Sequence, residues 1–204
     1  VTEGSKVPKT VEYFFSIGSP WSYLGLDTLE ELSSRHLVEI KPHLATVIEE
    51  NGGIFARNRP DARRAYGTCD LKRWAKFRGK PLLVENRPAL GDPTSASFLV
   101  IAVYLDGENW LQLVRALQHA FWEEAKDIGQ PNVRRAVADT AGFDGAYLLS
   151  REQDEDVQGK WRNDREIAVE KGVFGFPTYI YEDEVYWGQD NLGFLSSHLR
   201  GEIP

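Results

Sequence analysis

The sequence is short of the residues that mark several large classes of protein. It has a single cysteine, Cys69, among 204 residues, so no disulfide can form within the chain and we expect a reducing compartment, the cytoplasm. Its longest apolar run, residues 98–105, is far shorter than the ~20 residues of a membrane-spanning helix, so we expect no membrane partner. Acidic residues outnumber basic ones, 31 to 24, which argues against nucleic acid as a partner because phosphate binding favours a basic surface.

Two further absences concern targeting and metals. Residues 1–10 (VTEGSKVPKT) lack the apolar core of a secretion signal, and we expect a short polar tail there. The four histidines show no spacing typical of metal ligands, so we predict no metal site. They are His36, His43, His119 and His198. Cys69 has no partner motif around it, and we interpret it as a buried small residue or an incidental one.

The chain opens with a pattern typical of a βαβ unit. Residues 11–17 (VEYFFSI) are mostly β-branched or aromatic and predict a buried strand. Ser19 before Pro20 predicts the cap and first turn of a helix that runs to about residue 35. Residues 37–44 (LVEIKPHL) predict a second strand, parallel to the first if the unit has the usual right-handed crossover.

The middle of the chain is predicted to be helical and its end to form a hairpin. Apolar spacing, caps and stop signals predict five helices, at 70–78, 93–105, 110–121, 132–141 and 154–171. Residues 178–181 and 185–187 predict two strands joined by a tight turn, followed by a helix at 190–200.

This order of elements predicts an α/β fold with a thioredoxin-like mixed sheet. A βαβ half and a ββα half share the sheet, and a large all-helical insertion lies between them. We assign residues 11–45 and 172–204 to the thioredoxin-like domain and residues 46–171 to the helical insertion domain.

Residues 19–22 (SPWS) lie where the first strand turns into the first helix. Thioredoxin-like oxidoreductases carry Cys-x-x-Cys at this turn, and two serines in those places exclude dithiol chemistry. A serine hydroxyl and the backbone N–H groups of a helix start can instead hold the thiolate of a bound molecule. The alternative is that Ser19 is only a helix cap.

Two segments near the carboxyl end carry similar alternatives. In 173–178 (VFGFPT), Pro177 either simply opens a strand or, if its peptide bond is cis, turns the Phe176 backbone toward the SPWS turn, where it can pair with a peptide ligand. In 187–191 (WGQDN), Asp190 is either a helix cap or a site for the head group of an amino acid, with its carboxylate facing an ammonium.

Together these segments resemble the 2-hydroxychromene-2-carboxylate isomerases and kappa-class glutathione transferases, within the DsbA-like thioredoxin-fold group. The resemblance rests on YFFSIGSPWSYLG at 13–25, CDLKRWAKFRGKPL at 69–82 and KGVFGFPTYIYEDEVYWGQDNL at 171–192, with a looser match at Asn58 and Arg59. It covers nearly the whole chain after residue 10.

The resemblance implies glutathione as cofactor and assigns roles to individual residues. Ser19 resembles the catalytic serine that stabilises the glutathione thiolate, and Asn58 and Arg59 resemble the pair that faces the substrate. The remaining residues implied in glutathione binding are Phe176, Pro177, Trp187, Gly188, Gln189 and Asp190. Gln189 departs from the family, which often has asparagine there.

The implied reaction is cis–trans isomerisation of a 2-hydroxychromene-2-carboxylate-like aromatic carboxylate by thiolate addition, bond rotation and elimination. A kappa-type transferase shares every motif cited, and a thioredoxin-fold module that binds glutathione without turnover is a third possibility. Such a substrate needs an apolar slot, for which the candidates are Trp21, Tyr66, Trp74 and Phe77, although each also fits a core position. Because relatives are commonly dimers, we expect a homodimer.

Overall fold

A computed structural model describes residues 9–202. It contains one four-stranded mixed sheet of order β2-β1-β3-β4, in which β1 and β2 are parallel and the other neighbours are antiparallel. The strands are β1 (Thr10–Phe15), β2 (Glu39–Leu44), β3 (Thr178–Tyr181) and β4 (Glu184–Trp187). The predicted fold class, a thioredoxin-like mixed sheet with a helical insertion, is confirmed.

Eight α-helices accompany the sheet within the described residues. They are α1 (Pro20–His36), α2 (Asp61–Arg78), α3 (Ala96–Leu105), α4 (Trp110–Trp122), α5 (Pro131–Thr140), α6 (Gly145–Arg151), α7 (Glu155–Glu170) and α8 (Leu192–Leu199). Short 3₁₀ turns lie at Glu49–Asn51, Ala56–Asn58, Pro93–Ser95 and Gln189–Asn191.

Most predicted elements form with shifts of one or two residues at their ends. The first strand is shorter than predicted, because Ser16 already accepts a hydrogen bond from the Ser19 backbone N–H in the turn. The second strand starts later, because Leu37 adopts a left-handed conformation as the C-cap of α1. The predicted closing helix begins as a 3₁₀ turn before α8.

Two predictions about helices were wrong. Helix α2 begins nine residues earlier than predicted, because its first half has almost no apolar stripe and only Ala75 in the whole helix is buried. Helix α6 was not predicted, since seven residues give too short a period to detect. The predicted polar tail falls mainly on residues 1–8, which lie outside the described residues.

One large apolar core joins the sheet to the helical layer. Tyr13 and Phe15 on β1 stack on each other, with ring centroids 4.3 Å apart, and Phe15 also meets Trp110 of α4. Helix α3 is almost entirely buried and packs against α4, α6 and α7. The sheet and the insertion therefore share a continuous interior, which holds the two walls of any cleft between them in fixed positions.

A buried polar network fastens the insertion to the opposite face of the sheet. Asp164 of α7 lies 2.9 Å from His43 Nδ1, accepts the Leu44 backbone N–H, and pairs with Lys160. The other nitrogen of His43 lies 3.1 Å from Glu12 on β1. Because Asp164 and His43 are both buried, these polar groups satisfy one another where water cannot.

Candidate active site

A cleft of about 1360 Å³ lies between the amino end of α1 and the first part of the insertion. One wall comes from the SPWS turn and the loop before Pro177. The other comes from the loop 46–59 and the first half of α2. Its lining includes Ser16, Ser19, Trp21, Thr46, Phe55, Arg57, Arg59, Arg63, Arg64, Leu71, Leu90, Asp92, Trp161, Phe174, Phe176 and Trp187.

Ser19 lies on the wall of this cleft at the start of α1. Its side-chain oxygen accepts a hydrogen bond from the Ser22 backbone N–H at 3.2 Å and donates one to the Phe176 carbonyl at 3.3 Å. The first bond is a normal helix cap, and the second joins the SPWS turn to the loop before Pro177. The hydroxyl proton is therefore directed at the Phe176 carbonyl, through a hydrogen bond at the long end of the usual range.

The loop before Pro177 faces Ser19 across this contact. The Phe176–Pro177 peptide bond is cis, which is the arrangement that the functional alternative for Pro177 needs. Within residues 9–202 the Phe176 backbone N–H has no hydrogen-bond acceptor, while Pro177 accepts one from the Gly188 N–H at 2.8 Å. A backbone N–H on a cleft wall is available to an extended peptide ligand.

Trp187 forms an aromatic edge to the same wall. Its ring lies 4.8 Å from that of Phe174, and both side chains are partly exposed. Gly175 permits this arrangement, because a Cβ atom there would come within 2.7 Å of Trp187 Nε1. Any larger residue at position 175 would push the Trp187 indole away from its place on the wall.

The wall from the insertion carries four arginines, Arg57, Arg59, Arg63 and Arg64. Arg64 pairs with Asp61 and donates to the Arg57 carbonyl, and Arg57 stacks over Phe55 at 4.3 Å. Burial, together with the nearby positive charge of Arg63, lowers the pKa of Arg59. Its Nε is buried and has no partner among the described residues.

Asn51 holds the loop that carries part of this wall. Its side-chain amide donates to the carbonyls of Ala168, Val169 and Val173 at 3.0–3.3 Å. These bonds tie the loop to the carboxyl end of α7 and to the segment that leads into Phe174. The two walls are therefore fastened together at the base of the cleft.

The segment 187–191 divides into two parts. Trp187 lines the cleft, whereas Gly188, Gln189 and Asp190 lie outside its lining. Gln189 is 1% exposed and its side-chain oxygen accepts two hydrogen bonds from Arg78, while Asp190 is exposed in the 3₁₀ turn. Gly188 has a φ of 93°, a left-handed conformation that favours glycine.

The structure also places the remaining predicted residues. Asn58 is exposed and lies outside the cleft lining, beside Arg59, which lines it. Of the four aromatic residues considered for a substrate slot, only Trp21 lines the cleft. Tyr66, Trp74 and Phe77 do not, and Tyr66 and Phe77 are 62% and 76% exposed, so neither a slot nor a core position fits these two. Cys69 is exposed, which excludes the buried alternative and leaves the incidental one.

Several cleft residues were missed by sequence reasoning because they come from distant parts of the chain. Leu90, Trp161 and Phe174 contribute the apolar surface expected of a slot. Arg57, Arg63 and Arg64, together with Arg59, are visible in the sequence as a basic patch in an acidic protein. That patch fits either a surface loop or a site for an anionic tripeptide and an anionic substrate. Only the folded chain brings these groups to one cleft.

Two other functional features, a metal site and a membrane-spanning helix, are not found within the described residues. No group of three or more His, Cys, Asp or Glu side chains within residues 9–202 has metal-binding geometry. In the same part of the chain, no helix combines the length and the apolar character needed to cross a bilayer.

Comparison with protein families decides the classification of the chain. Residues 10–200 match the family model for the DSBA-like thioredoxin domain. The chain belongs to the DsbA-like thioredoxin family. A 2-hydroxychromene-2-carboxylate isomerase of Sphingobium xenophagum is 29% identical over 196 residues, which cover 94% of this chain and 98% of the relative. Human glutathione S-transferase kappa 1 is 26% identical over 212 residues, or 96% and 92% of the two chains. The family resemblance expected from the motifs is confirmed.

Solved structures of this DsbA-like family share the fold. A 2-hydroxychromene-2-carboxylate isomerase superposes with a TM-score of 0.77 and 22% identity, over 94% of this chain and 95% of the other. The cytosolic disulfide reductase DsbM of Pseudomonas aeruginosa, solved with GSH, gives a TM-score of 0.67 and 18% identity, over 94% and 99% of the chains. These matches confirm the thioredoxin-like architecture with its helical insertion.

Proposed function

We propose that this protein is a glutathione-dependent isomerase that converts the cis form of a 2-hydroxychromene-2-carboxylate-like aromatic carboxylate to the trans form. The observation that carries the proposal is the Ser19 hydroxyl, which caps α1 on the wall of a cleft and reaches the Phe176 carbonyl at 3.3 Å. Relatives named as such isomerases align over nearly the full chain, which supports the substrate class.

The residues of the thioredoxin-like wall fit a tripeptide thiol. The free N–H of Phe176 can pair with the cysteinyl backbone, and Asp190, which is exposed outside the cleft lining, can face the ammonium of the γ-glutamyl end. Pro177, Trp187, Gly188 and Gln189 complete this proposed site by shaping the two loops. When bound, glutathione supplies a thiolate that adds reversibly to the conjugated double bond, so that the bond can rotate before the thiolate leaves.

Ser19 is the proposed catalytic residue. Its oxygen accepts the Ser22 N–H, and its proton makes a long 3.3 Å hydrogen bond to the Phe176 carbonyl. We propose that this proton turns to a bound sulfur anion, because a charged acceptor makes the stronger hydrogen bond. A hydrogen bond to the charged form of a thiol lowers its pKa, and the amino end of α1 favours negative charge at the same place. Both effects raise the thiolate fraction at neutral pH.

The insertion wall is proposed to bind the substrate carboxylate. Arg59 is half-buried, and its Nε has no hydrogen-bond acceptor among the described residues. The guanidinium is therefore available to an acceptor on a ligand. A guanidinium can grip a carboxylate with two parallel hydrogen bonds, and Asn58 beside it can add an amide contact. Trp21, Trp161 and Leu90 offer apolar surface for the aromatic ring.

A kappa-type transferase is the second candidate, because human and rat glutathione S-transferase kappa 1 align over 96% of this chain. Product analysis separates the two activities. The isomerase converts many equivalents of substrate with a catalytic amount of reduced glutathione and returns the thiol. A transferase consumes one glutathione per product, and that stoichiometry would refute the isomerase assignment.

A third possibility, a module that binds glutathione without turnover, is tested by the binding experiment and the rate experiment together. We expect calorimetric titration of reduced glutathione to show one site per chain, weakened in Asp190→Ala. If Ser19→Ala binds glutathione and keeps the full rate of isomerisation, the role of Ser19 is wrong. The domain limits 11–45, 46–171 and 172–204, the cytoplasmic location and the homodimer stay predictions.

A further inference from the structure

We propose that Arg78 is a positioning residue for the γ-glutamyl end of glutathione and acts through Gln189. This inference rests on the proposed function, because it concerns the turn that carries Asp190. It assigns to an arginine of the helical insertion the task of fixing a loop of the thioredoxin-like wall.

The contacts between the two residues are specific. Arg78 Nε and Nη2 donate to Gln189 Oε1 at 3.0 and 2.7 Å, and Nη2 also donates to the Gln189 carbonyl at 3.2 Å. The remaining nitrogen, Nη1, donates to Thr28 Oγ1 on α1 at 2.9 Å. One guanidinium therefore joins α2, α1 and the 3₁₀ turn Gln189–Asn191, elements that are far apart in the sequence.

The pairing uses a charged group on neutral partners. Among residues 9–202 no carboxylate oxygen lies within 4 Å of the Arg78 nitrogens, although many other arginines of the chain have such a partner. Its guanidinium lies beside the rings of Trp74 and Phe77, 5.5 and 5.8 Å from their centroids. Arg78 therefore acts by holding Gln189 with the fork of its guanidinium, and not by neutralising a carboxylate.

Gln189 is also fixed from the other side. A Cβ atom at Gly25 of α1 would lie 2.7 Å from Gln189 Cβ and 3.0 Å from the Tyr179 hydroxyl, so α1 approaches this residue as closely as a glycine allows. Gln189 is thus wedged between α1 and the Arg78 guanidinium. Because Asp190 is the next residue, the position of its backbone follows from how Gln189 is held.

This arrangement depends on the length of the Gln189 side chain. A glutamine reaches Arg78 with its side-chain oxygen while its backbone carbonyl accepts a third hydrogen bond. The side chain is buried, and its Nε2 has no partner within the described residues. In this proposal Gln189 fixes the position of Asp190, and Asp190 faces the ligand.

The test compares two probes, reduced glutathione and cysteinylglycine, which lacks the γ-glutamyl group. Methionine replaces each residue, because it matches the length of glutamine and the aliphatic part of arginine and removes the hydrogen bonds. We expect Arg78→Met and Gln189→Met each to raise the Kd for glutathione roughly 5- to 20-fold, at or below the low end of the loss of a direct hydrogen bond to a charged group, because both residues act through the position of Asp190. The Kd for cysteinylglycine should stay within about twofold, since loss of a general structural role would weaken both probes.

Two comparisons sharpen the result. The double variant should bind glutathione no more weakly than the weaker single variant, because both changes break one interaction. Arg73→Met serves as the matched control on the same helix, where Arg73 is exposed and its nearest carboxylate, Asp70, is 3.9 Å away. It should bind both probes like the unaltered protein. If Arg78→Met fails to fold, Gln189→Met decides alone.

The outcomes separate this inference from the proposed function. If the unaltered protein does not bind glutathione, both are overturned. If glutathione binds and Asp190→Ala weakens it while Arg78→Met and Gln189→Met do not, only the role of Arg78 is overturned. The role of Arg78 is also overturned if these variants weaken cysteinylglycine as much as glutathione.

Discussion

The two walls of the cleft are built in contrasting ways. On the thioredoxin-like wall, Ser19 and Phe176 are fixed by a helix cap, a carbonyl contact and the strand that follows. On the insertion wall, Arg57, Arg63 and Arg64 are exposed side chains on a loop and a helix with little buried surface. Under the proposed function, the first wall would hold the reacting groups in place and the second would offer charge to the substrate. The proposed chemistry and the proposed substrate choice thus lie on separate elements of one cleft.

The two walls also differ in what supports them from behind. The sheet is joined to α7 through the buried network of Glu12, His43, Lys160 and Asp164. The loop of the insertion wall is held chiefly by the Asn51 amide. The following predictions separate the two walls, from the largest expected effect to the smallest.

Removal of Asp164 is expected to have the largest effect, because it leaves Lys160 and His43 without their buried carboxylate partner. We expect Asp164→Ala to lower the free energy of unfolding by about 3–5 kcal/mol, the usual cost of breaking a buried ion pair. Denaturant unfolding measures it. Glu166→Ala, an exposed position on the same helix, should change stability by less than about 0.5 kcal/mol. Equal losses in both variants would mean that the network is not the support of this wall.

Ser19→Ala is expected to lower kcat by about 100-fold, the loss typical of one removed donor to a developing or bound anion. Ser19→Asp separates this role from capping, because aspartate caps a helix well but cannot donate a hydrogen bond when ionised. Steady-state isomerisation at saturating glutathione is the measurement. Activity near that of the unaltered protein in Ser19→Asp would show that the cap, not the donor, is what matters.

Arg59→Met is expected to raise the KM for the aromatic carboxylate by roughly tenfold or more, since a hydrogen bond to a charged group is lost. The Kd for glutathione should change little, because the proposed glutathione residues lie on the other wall. Arg162→Met, an exposed arginine of α7 outside the cleft lining, is the control. If Arg59→Met weakens glutathione and leaves the substrate KM unchanged, the assignment of the two walls is reversed.

Replacement of Glu12 is expected to have the smallest effect on the free energy of unfolding, and this effect depends on pH. Burial alone would raise its pKa, but Lys171, His43 and Lys41 outweigh burial and hold the pKa of Glu12 below its ordinary value. A carboxylate with a lowered folded-state pKa adds stability above the unfolded pKa and loses it as the pH falls through the folded pKa. We expect Glu12→Gln to cost about 1 kcal/mol at pH 7, given its partial exposure.

The matching measurement is denaturant unfolding of Glu12→Gln and the unaltered protein at pH 7 and again near pH 3.5. The difference between them should shrink at the lower pH, because the stability that a carboxylate with a lowered folded-state pKa contributes is progressively lost below its unfolded pKa. A difference that grows toward low pH would contradict the direction of the Glu12 shift.

The parts of the fold that the sequence predicted are those with strong local signals. The run VEYFFSI, the Ser19-Pro20 start of α1 and the strand pair after Pro177 are encoded within a few residues each, and all three form. Helix α2 was placed too late, because an exposed helix has no apolar stripe to reveal its first half. Local pattern predicts buried elements well and exposed ones poorly.

The site divides in the same way. The family motifs predict Ser19 and Phe176 as site residues from short segments, and the structure places both on the cleft wall. The contact between Arg78 and Gln189 joins residues 111 positions apart, and no local pattern indicates it. The same is true of Trp161, which reaches the cleft from α7. Such long-range pairs depend on how the helical insertion packs on the sheet. A single sequence does not reveal that packing.

The central claim is that the Ser19 hydroxyl stabilises a bound thiolate. The most direct measurement is the ultraviolet absorbance of the glutathione thiolate, followed against pH in the complex with the unaltered protein and with Ser19→Ala. We predict that bound glutathione ionises well below the usual thiol pKa of about 8.5 in the unaltered protein, and nearer that value in Ser19→Ala. Superimposable titration curves for the two complexes would contradict the claim.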